Sequence, residues 1–194
     1  MELLPSTIPD AEIFYTENFL SANEAGQYFN SINEETPWRQ DNITVFGKTY
    51  PQPRLTCLYA SNTKPYSYSN ITMQPLAFTQ NLLELKTRAE HYCNTNFTTC
   101  LLNLYRDGKD SNGWHADNEK ELGTNPVIAS VSLGGSRWFH LKHRYEKSLR
   151  YKVELKHGSL LVMSGKTQHY WLHQIPKTQK KVNPRINLTF RVIT

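Results

Sequence analysis

Short runs of alternating hydrophobic and polar residues fill the second half of the chain, after Thr98. Gly, Pro, Asn and Asp separate these runs, and no convincing helical pattern lies between them. Short strands with frequent turns are typical of an antiparallel sandwich or jelly roll. We therefore predict a mainly β (α+β) protein in which residues 98–194 form a double-sheet core. The predicted strands lie in TTCLLNLYR, NPVIASVSLG, SRWFHLKHR, RYKVELKH, GSLLVMSG, HYWLHQI and PRINLTFRVI.

Two helices are predicted in the first part of the chain. Ser21 is followed three residues later by Glu24, a capping-box pattern that predicts a helix over about residues 21–34. A second helix is predicted over about residues 75–93, because apolar residues recur there on one helical face. These apolar residues are Leu76, Leu82, Leu83, Leu85 and Ala89.

Strands and a loop are predicted around these helices. Residues 12–20 have the pattern of a short strand that runs into a loop, and the alternation over residues 42–60 predicts two strands around a turn at Gly47. The polar segment 61–70 is predicted as a loop. The sequence contains no repeat or linker, so we expect residues 1–97 to lie against the double-sheet core as one compact domain.

Composition narrows the choice of partners and compartment. The 194 residues suffice for one domain, and 22 Lys and Arg against 17 Asp and Glu give a formal charge of +5, a mild lean toward polyanionic partners. No apolar run is long enough for a membrane span and the N-terminus lacks a signal-peptide pattern, so we expect a cytoplasmic or nuclear protein without a membrane partner. The three cysteines include no C-x-x-C pair, and we expect buried thiols.

A candidate for half of a metal site lies in the stretch GWHADNE, where His115 and Asp117 flank one small residue. Side chains two residues apart in an extended segment point to the same side, so both can reach one metal ion. One more His would complete a facial triad that leaves other metal positions open. Strand parity does not choose the third ligand, since His169 and His173 share the same parity. The candidates are His140, His143, His157, His169 and His173.

The segment PRINLTFRVI has one apolar face and one polar face that carries two arginines. Buried guanidiniums are costly unless an anion pairs with them, and the arginine fork matches a carboxylate. The segment LLNLY likewise places Asn103 and Tyr105 on one face. An exposed sheet face would also accommodate the arginines, but the order of the motifs favours a pocket for a small dicarboxylate beside the metal. The polar face of PRINLTFRVI consists of Arg185, Asn187, Thr189 and Arg191.

Five stretches in order, NLYRDGKDSNGWHADNE, IASVSLGGSRWF, HGSLLVMSG, WLHQIP and NPRINLTFRVI, strongly resemble the AlkB family of Fe(II)- and 2-oxoglutarate-dependent dioxygenases. The match covers residues 103–193 and is closest to the branch that demethylates duplex DNA. It extends upstream to VFGK at residues 45–48, PR at 53–54 and the tyrosine loop at 66–68. The resemblance implies a double-stranded β-helix with N-terminal helices and a nucleotide-recognition hairpin or lid.

The resemblance also implies a catalytic centre and its co-substrates. His115, Asp117 and His173 would be the iron ligands, which selects His173 over His169 as the third one. The co-substrates would be 2-oxoglutarate and O2. The 2-oxoglutarate contacts would be Tyr105 and Arg185 at the distal carboxylate, Asn103 and Arg191 at the end that chelates iron, and Thr189 nearby.

Substrate contacts carry over by position as well. The apolar residue of VFGK, Phe46, would wedge into the base stack in place of a flipped base, and an aromatic residue of the tyrosine loop would stack on that base. The chain departs from the branch pattern with Asn118 in place of an Asp and Tyr68 in place of a Phe, which puts the damage preference in doubt. The full implied set is Phe46, Gly47, Lys48, Tyr66, Ser67, Tyr68, Asn118 and Glu119.

The implied function is oxidative demethylation of 1-methyladenine and 3-methylcytosine in DNA, preferentially duplex, with release of formaldehyde, succinate and CO2. The protein is expected to act as a monomer. The alternatives are an RNA- or protein-directed member of the same superfamily and a catalytically silent nucleic-acid-binding module. Basic residues near the predicted site are expected to contact phosphates. They are Lys142, His143, Arg144, Lys147, Arg150, Lys152, Lys177, Lys180 and Lys181.

Overall fold

The computed structural model describes residues 2–45, 47–62, 66–68 and 71–193. Its helices are α1 (Ala22–Glu35), α2 (Gln80–Cys93) and the one-turn α3 (Thr167–Tyr170). Its strands are β1 (Glu2–Leu3), β2 (Glu12–Thr16), β3 (Asn42–Val45), β4 (Lys48–Pro51), β5 (Leu55–Ala60), β6 (Tyr66–Tyr68), β7 (Ile71–Met73), β8 (Thr99–Tyr105), β9 (Asn112–His115), β10 (Ile128–Gly134), β11 (Arg137–His143), β12 (Arg150–Leu155), β13 (Ser159–Ser164), β14 (Trp171–Ile175) and β15 (Arg185–Arg191).

Two sheets form the body of the fold and confirm the predicted jelly roll. One sheet has the strand order β1-β12-β11-β14-β9, and the other has the order β2-β13-β10-β15-β8-β5. Neighbouring strands run antiparallel except for the parallel pair of β1 and β12. Non-consecutive strands lie side by side in both sheets, as expected when a chain winds between two layers. The strands of residues 98–194 therefore build the core of both sheets.

Three strands of the first 97 residues complete these sheets. β2 pairs with β13 at one edge of the six-stranded sheet and β5 pairs with β8 at the other edge, while β1 extends the five-stranded sheet beside β12. Each of the two sheets therefore contains hydrogen-bonded strands from residues 1–97 and from residues 98–194. The division of the chain at residue 97 stays a prediction.

Alternation along the central strands assigns their side chains to two different cores. Ile186, Leu188 and Phe190 of β15 belong to the hydrophobic cluster that also contains buried residues of α1 and α2, such as Ile32 and Leu85. A second cluster joins apolar residues of both sheets, from β8, β10 and β13 on one side and β11, β12 and β14 on the other. The helices thus cover one face of the six-stranded sheet, and its other face looks toward the five-stranded sheet.

The first predicted helix is confirmed together with its cap. The Ser21 hydroxyl accepts a hydrogen bond from the Glu24 N–H at 3.3 Å, and the Glu24 carboxylate accepts one from the Ser21 N–H at 3.0 Å. These reciprocal bonds satisfy two N–H groups that a helix start leaves unpaired. The helix runs over Ala22–Glu35, one residue later than predicted at each end.

The second predicted helix begins later than the sequence pattern indicates. It starts at Gln80, where Thr79 is the N-cap, so the predicted start near residue 75 is wrong. Leu76 instead hydrogen-bonds to β5, donating its N–H to the Leu58 carbonyl at 2.9 Å. Because this backbone extends the edge of a sheet, it cannot also turn into a helix. Leu76 and Leu83 are 41% and 42% exposed, so the buried helix face is narrower than predicted.

The segment between the helices contains more strands than predicted. β3 and β4 form the expected hairpin around Gly47, whose φ of +74° is a conformation that favours glycine. Residues 55–60, predicted to belong to the second strand of this hairpin, instead form β5 in the six-stranded sheet. The predicted loop at residues 61–70 includes β6, which pairs with β7, so it is in part a second hairpin.

The cysteines lie within the fold as free thiols. Cys57 and Cys100 are buried, and Cys93 is half-buried. Burial raises the pKa of all three thiols, that of Cys93 to about 11, so they are protonated at neutral pH. No helix among the described residues is long and apolar enough to cross a membrane.

Candidate metal centre and anion pocket

The pairing of two strands of the five-stranded sheet brings His115 and His173 together. These residues face each other in the β9–β14 ladder, and their ring centroids are 4.3 Å apart. β9 ends at His115, and Asp117 follows two residues later with its carboxylate turned toward both rings. The potential ligand atoms of the three side chains all lie within 4.8 Å of one another, so one metal ion can reach them all.

The structure places the other candidate histidines away from this group. His169 lies in α3 and not in the strand that follows, so the parity shared with His173 does not apply; its Nε2 is 2.9 Å from the Asn125 side-chain oxygen. His157 Nδ1 accepts a hydrogen bond from the Gly134 N–H at 2.8 Å. His140 lies on β11, on the face opposite the buried residues of that strand. Within the described residues, His173 is the histidine that completes the group.

Hydrogen bonds and burial prepare both rings as neutral ligands. His115 Nδ1 lies 2.7 Å from the Gly113 carbonyl, which can only accept, so Nδ1 carries the proton. Nε2 keeps its lone pair, and it lies 3.2 Å from the Asn112 amide nitrogen and 3.9 Å from Asp117 Oδ1. Burial, aided by the neighbouring His115, lowers the pKa of His173 to about 3. Both imidazoles therefore are neutral at physiological pH, as metal ligation requires.

Asp117 supplies the negative charge of the group. Burial alone raises its pKa, but Arg191 and the two imidazoles outweigh this effect and the net pKa lies below the ordinary value. Arg191 Nη2 donates to Asp117 Oδ1 at 2.8 Å, and both side chains are almost fully buried. The carboxylate is thus ionised and held in one orientation.

The polar face of β15 continues from this group into the space between the sheets, as the sequence predicts. Arg185, Asn187, Thr189 and Arg191 are all buried, and they line the same cavity as His115, Asp117 and His173. On the neighbouring β8, Tyr105 pairs with Arg185 and Asn103 pairs with Asn187. All five residues predicted to bind 2-oxoglutarate therefore share one face of two adjacent strands.

Arg185 is the least compensated charge in this cavity. It is 1% exposed, and its Nη2 donates to Ser132 Oγ at 2.8 Å and to Asn187 Oδ1 at 2.7 Å. Its Nε and Nη1 make no hydrogen bond of good geometry within the described part of the chain, although the Tyr105 hydroxyl lies close enough to favour the charged guanidinium. Burial lowers the pKa of Arg185 to about 10, which still leaves it charged at neutral pH. A buried guanidinium with two free N–H donors fits a carboxylate ligand.

Two cations lie close to the ring of Tyr105. The guanidinium of Arg185 lies 5.4 Å from the ring centroid, and that of Arg137 lies 5.6 Å from it. Arg137 is buried and donates to the backbone carbonyls of Asp107, Asp110 and Pro176 at 2.6 to 3.1 Å. No pattern in the sequence points to Arg137, because its partners are backbone groups distant in sequence.

Arg54 is a second residue whose place in the site was missed. It is 4% exposed, and its Nε donates to Asn103 Oδ1 at 2.7 Å. Its Nη1 also donates to the Ser111 carbonyl at 3.3 Å, next to the start of β9. The dipeptide PR at residues 53–54 was the available signal, although the resemblance attached no role to it. Arg54 links the anion pocket to the strand that ends in His115.

The predicted substrate residues are described in part. Gly47 and Lys48 lie at the exposed tip of the β3–β4 hairpin, and Asn118 is exposed directly after Asp117. Glu119 is half-buried, and burial raises the pKa of its carboxyl. Phe46 lies outside the described residues. Tyr66, Ser67 and Tyr68 form β6, but their side chains lie outside the description, so their predicted contacts stay predictions.

The predicted phosphate contacts comprise six exposed residues, the half-buried Lys142 and Lys152, and one buried residue. His143 is 8% exposed, and its Nδ1 accepts a hydrogen bond from the Glu146 N–H at 2.9 Å. It closes the turn after β11, so its assignment as a surface contact is wrong. Lys142 Nζ lies 4.4 Å from the centroid of the Trp114 ring. Exposed members of the set are Arg144, Lys147, Arg150, Lys177, Lys180 and Lys181.

Sequence comparisons agree with the composition of this site. The profile of the 2OG-Fe(II) oxygenase superfamily matches residues 12–191. The chain is 41% identical over 184 residues to the Mus musculus alpha-ketoglutarate-dependent dioxygenase alkB homolog 3, covering 90% of this chain and 64% of that protein. It is 33% identical over 189 residues to the Homo sapiens DNA oxidative demethylase ALKBH2, covering 92% of this chain and 72% of that protein. The chain therefore spans somewhat less than two thirds of the length of the alkB homolog 3 relative.

Solved structures agree with the architecture. The structure of OsALKBH1 superposes with a TM-score of 0.68 at 16% identity, covering 96% of this chain and 100% of that chain. A Trichoplax adhaerens prolyl hydroxylase, solved in complex with a peptide fragment, superposes with a TM-score of 0.61 at 11% identity, covering 92% of this chain and 83% of that one. At such identities the likeness concerns the fold alone, and it supports the jelly roll.

Proposed function

Because the chain belongs to the AlkB family of the 2OG-Fe(II) oxygenase superfamily, we propose that it is a dioxygenase that demethylates N-alkylated bases in nucleic acid. Its substrates are 1-methyladenine and 3-methylcytosine in DNA, preferentially duplex. The co-substrates are 2-oxoglutarate and O2, and the products are the repaired base, formaldehyde, succinate and CO2. Action as a monomer and an intracellular location are part of the same proposal.

The observation that carries this proposal is the juxtaposition of a His-Asp-His group and an undercompensated buried guanidinium in one cavity. His115, Asp117 and His173 would hold Fe(II), since two neutral imidazoles and an ionised carboxylate form the donor set of non-haem iron oxygenases. When bound with 2-oxoglutarate and O2, the iron supplies the oxidation that converts an N-methyl group to an unstable hydroxymethyl group. The chain's residues bind the co-substrate, exclude water and present the base.

The anion pocket supports 2-oxoglutarate as the co-substrate. The free Nε and Nη1 donors of Arg185 would receive the distal carboxylate, and Tyr105 lies beside this guanidinium. Asn103, Arg191 and Thr189 would contact the end that chelates iron. Arg191 would contact this end of 2-oxoglutarate while it also donates to Asp117, because a guanidinium carries several N–H donors. The nearby guanidiniums of Arg185 and Arg137 restrict movement of the Tyr105 ring away from the ligand.

Arg54 gives a test of the pocket that is independent of iron ligation. The Arg54→Met variant is expected to weaken 2-oxoglutarate binding about tenfold, because Asn103 loses a hydrogen bond to a charged donor worth roughly 1.5–3 kcal/mol. Titration calorimetry with Mn(II)-loaded protein measures this affinity without turnover. Arg39→Met is the matched control, since Arg39 is exposed on the other side of β5. Equal affinities for both variants would contradict the role of Arg54.

A modified base would meet the residues that follow Asp117. Asn118 and Glu119 lie within two residues of the metal group, and the half-buried Glu119 has a raised pKa because of burial. A cationic methylated base brings positive charge near this carboxyl and favours its ionised form. The neutral Asn118 attracts such a base less than the Asp usual in the branch would. We therefore expect turnover of cationic lesions to exceed turnover of neutral lesions by a smaller factor.

Two features support DNA, and duplex DNA in particular, as the partner. Exposed basic residues lie on the turn between β11 and β12 and in the segment after β14, where they can neutralise phosphates. Gly47 and Lys48 of the sequence VFGK are exposed at the tip of the β3–β4 hairpin. An apolar wedge, for which Phe46 is the predicted residue, offsets part of the cost of unstacking a duplex. The Homo sapiens relative named as a DNA oxidative demethylase is similar over 92% of this chain.

Formaldehyde release from matched methylated oligonucleotides tests the proposed substrate. We expect turnover on 1-methyladenine in both single strands and duplexes, with the duplex turned over at least as fast. Phe46→Ala is expected to reduce duplex turnover about tenfold and single-strand turnover less than twofold, because a wedge saves unstacking energy of the order of a kilocalorie or more only in a duplex. Thr44→Ala is the control, since it changes the same hairpin away from its tip.

The outcomes separate the rival functions. Faster turnover on methylated RNA than on either DNA would make the chain an RNA-directed enzyme. Tight binding of methylated DNA by iron-loaded protein without formaldehyde release would make it a catalytically silent nucleic-acid-binding module. Equal effects of Phe46→Ala on the turnover of duplex and single-stranded substrates would show that Phe46 does not act as a wedge. The argument for duplex preference would then fail.

A further inference from the structure

The backbone of Asp117 is held by a side chain that the proposed function does not use. Asp117 lies beyond the end of β9, where strand pairing no longer fixes the backbone. Its N–H donates to Gln168 Oε1 at 2.9 Å. Asp117 is 2% exposed and Gln168 is 1% exposed, so water is excluded from this bond. A buried N–H that lost its acceptor would cost roughly 1–3 kcal/mol.

The orientation of the Gln168 amide follows from both of its contacts. The Asp117 N–H can only donate, so the oxygen of the amide must face it. The amide nitrogen lies on the other side, 3.6 Å from Met163 Sδ, which is a weak acceptor. A glutamine thus matches its two neighbours, whereas a flipped amide would place two donors face to face.

Gln168 belongs to a short segment that is anchored at both ends. Thr167 Oγ1 donates to the Ser164 carbonyl at 2.6 Å and accepts from the Glu12 N–H at 2.9 Å. At the other end, the Arg144 N–H donates to the Tyr170 carbonyl at 2.7 Å. The one-turn helix α3 is therefore fixed to β2, to β13 and to the turn after β11. Its buried glutamine is a rigid support.

Asp117 is consequently fixed at two points. Arg191 holds one oxygen of the carboxylate at 2.8 Å, and Gln168 holds the main chain. On a backbone without a hydrogen-bond partner, the Asp117 carboxylate could rotate about several torsions. Both contacts are therefore needed to keep its remaining lone pairs directed at the space that it shares with His115 and His173. Outer partners of metal ligands typically change metal affinity or activity by about 10–100-fold when replaced.

We propose that Gln168 is a positioning residue of the metal centre, which fixes the backbone of Asp117 through its side-chain oxygen. This inference rests on the proposed function, since it presumes that Asp117 is a metal ligand. It assigns to α3 a role in metal affinity rather than in contacts with nucleic acid. The same role predicts that a side chain of equal length without the oxygen weakens metal binding, whereas one that keeps the oxygen does not.

Cobalt titration of the 194-residue chain, followed by visible absorption, tests the proposal without turnover. Gln168→Met keeps the length of the side chain and removes the oxygen, and it is expected to bind Co(II) about 10–100-fold more weakly. Gln168→Glu keeps an acceptor oxygen and is expected to stay within about threefold of the unmodified chain, because the bond to the Asp117 N–H survives. Gln27→Met is the matched control, since Gln27 is exposed on α1.

Amide hydrogen exchange at Asp117 in the metal-free protein decides the matter even where a variant fails to fold. Slow exchange is expected, and exchange at the rate of an unstructured peptide would overturn the proposal. Co(II) affinity of Gln168→Met within twofold of the unmodified chain would overturn it as well. Failure of the unmodified chain to bind Co(II) would instead refute the proposed metal centre, so the two failures are distinguishable.

Discussion

The Asp117→Ala variant is expected to lose divalent-metal binding and 2-oxoglutarate turnover together, with turnover at the background of a metal-free sample. Asp117 is the anion of the His-Asp-His group, and two neutral imidazoles without a carboxylate bind Fe(II) weakly. The variant also removes the carboxylate that Arg191 contacts deep in the cavity. Removing one member of a buried ion pair costs about 3–5 kcal/mol. The metal-free variant should therefore unfold at a markedly lower urea concentration.

Stability and metal binding can be separated by a second substitution. Asp117→Ala combined with Arg191→Met removes both members of the buried pair, and we expect it to regain most of the lost stability but none of the metal binding. Asp107→Ala is the control, because Asp107 is an exposed carboxylate on the loop before β9. Co(II) binding by Asp117→Ala at the affinity of the unmodified chain would show that the metal centre lies elsewhere.

Strand periodicity predicted the anion pocket because one face of β15 is polar throughout. Four polar residues at alternate positions in a strand flanked by apolar residues can be buried only if the sheet faces a polar cavity, and this is what the fold provides. The cap of α1 was equally predictable, since a capping box is a contact between residues three apart. Local patterns therefore predicted the secondary-structure elements and the strand faces on which the site residues lie.

Predictions failed where a contact joins residues far apart in the sequence. The pattern of HYWLHQI could not separate His169 from His173, because the short helix α3 interrupts the strand before Trp171. The start of α2 was misplaced because Leu76 bonds to β5. The bonds of Arg54 and Gln168 to the site span 49 and 51 residues, and the bond of Arg137 to the Asp110 carbonyl spans 27 residues. No periodicity within a strand or helix carries such information.

The family resemblance supplied what periodicity could not. It selected His173 before the fold was known, and the β9–β14 ladder places this residue opposite His115. It attached no role to the residues that hold the ligands in place. Ligands are recognisable by residue type and spacing, whereas Gln168 or Arg137 have the same residue types as many surface positions. Supporting residues of this kind become visible only through burial and bond partners.

The Arg185→Met variant is expected to have opposite effects on binding and on stability. It removes the guanidinium whose two free donors would receive the distal carboxylate of 2-oxoglutarate. Removing one partner of a buried, hydrogen-bonded charge pair costs about 2–5 kcal/mol, so we expect 2-oxoglutarate affinity to fall by roughly 30-fold to several thousandfold. Titration of Mn(II)-loaded protein with 2-oxoglutarate measures this loss, while Mn(II) affinity itself should stay unchanged because the metal group is intact.

Stability should rise in the same variant when no ligand is present. Arg185 is 1% exposed and only one of its nitrogens is shown with acceptors, Ser132 and Asn187, so the folded chain bears an incompletely compensated buried charge. Replacing such a charge with a well-packed apolar side chain is often stabilising by about 1–4 kcal/mol. Urea unfolding of the metal-free proteins measures the change, with Arg150→Met on an exposed position of β12 as control. A variant that binds 2-oxoglutarate normally, or one that loses both affinity and stability, would mean that Arg185 is a structural residue whose charge is satisfied within the fold.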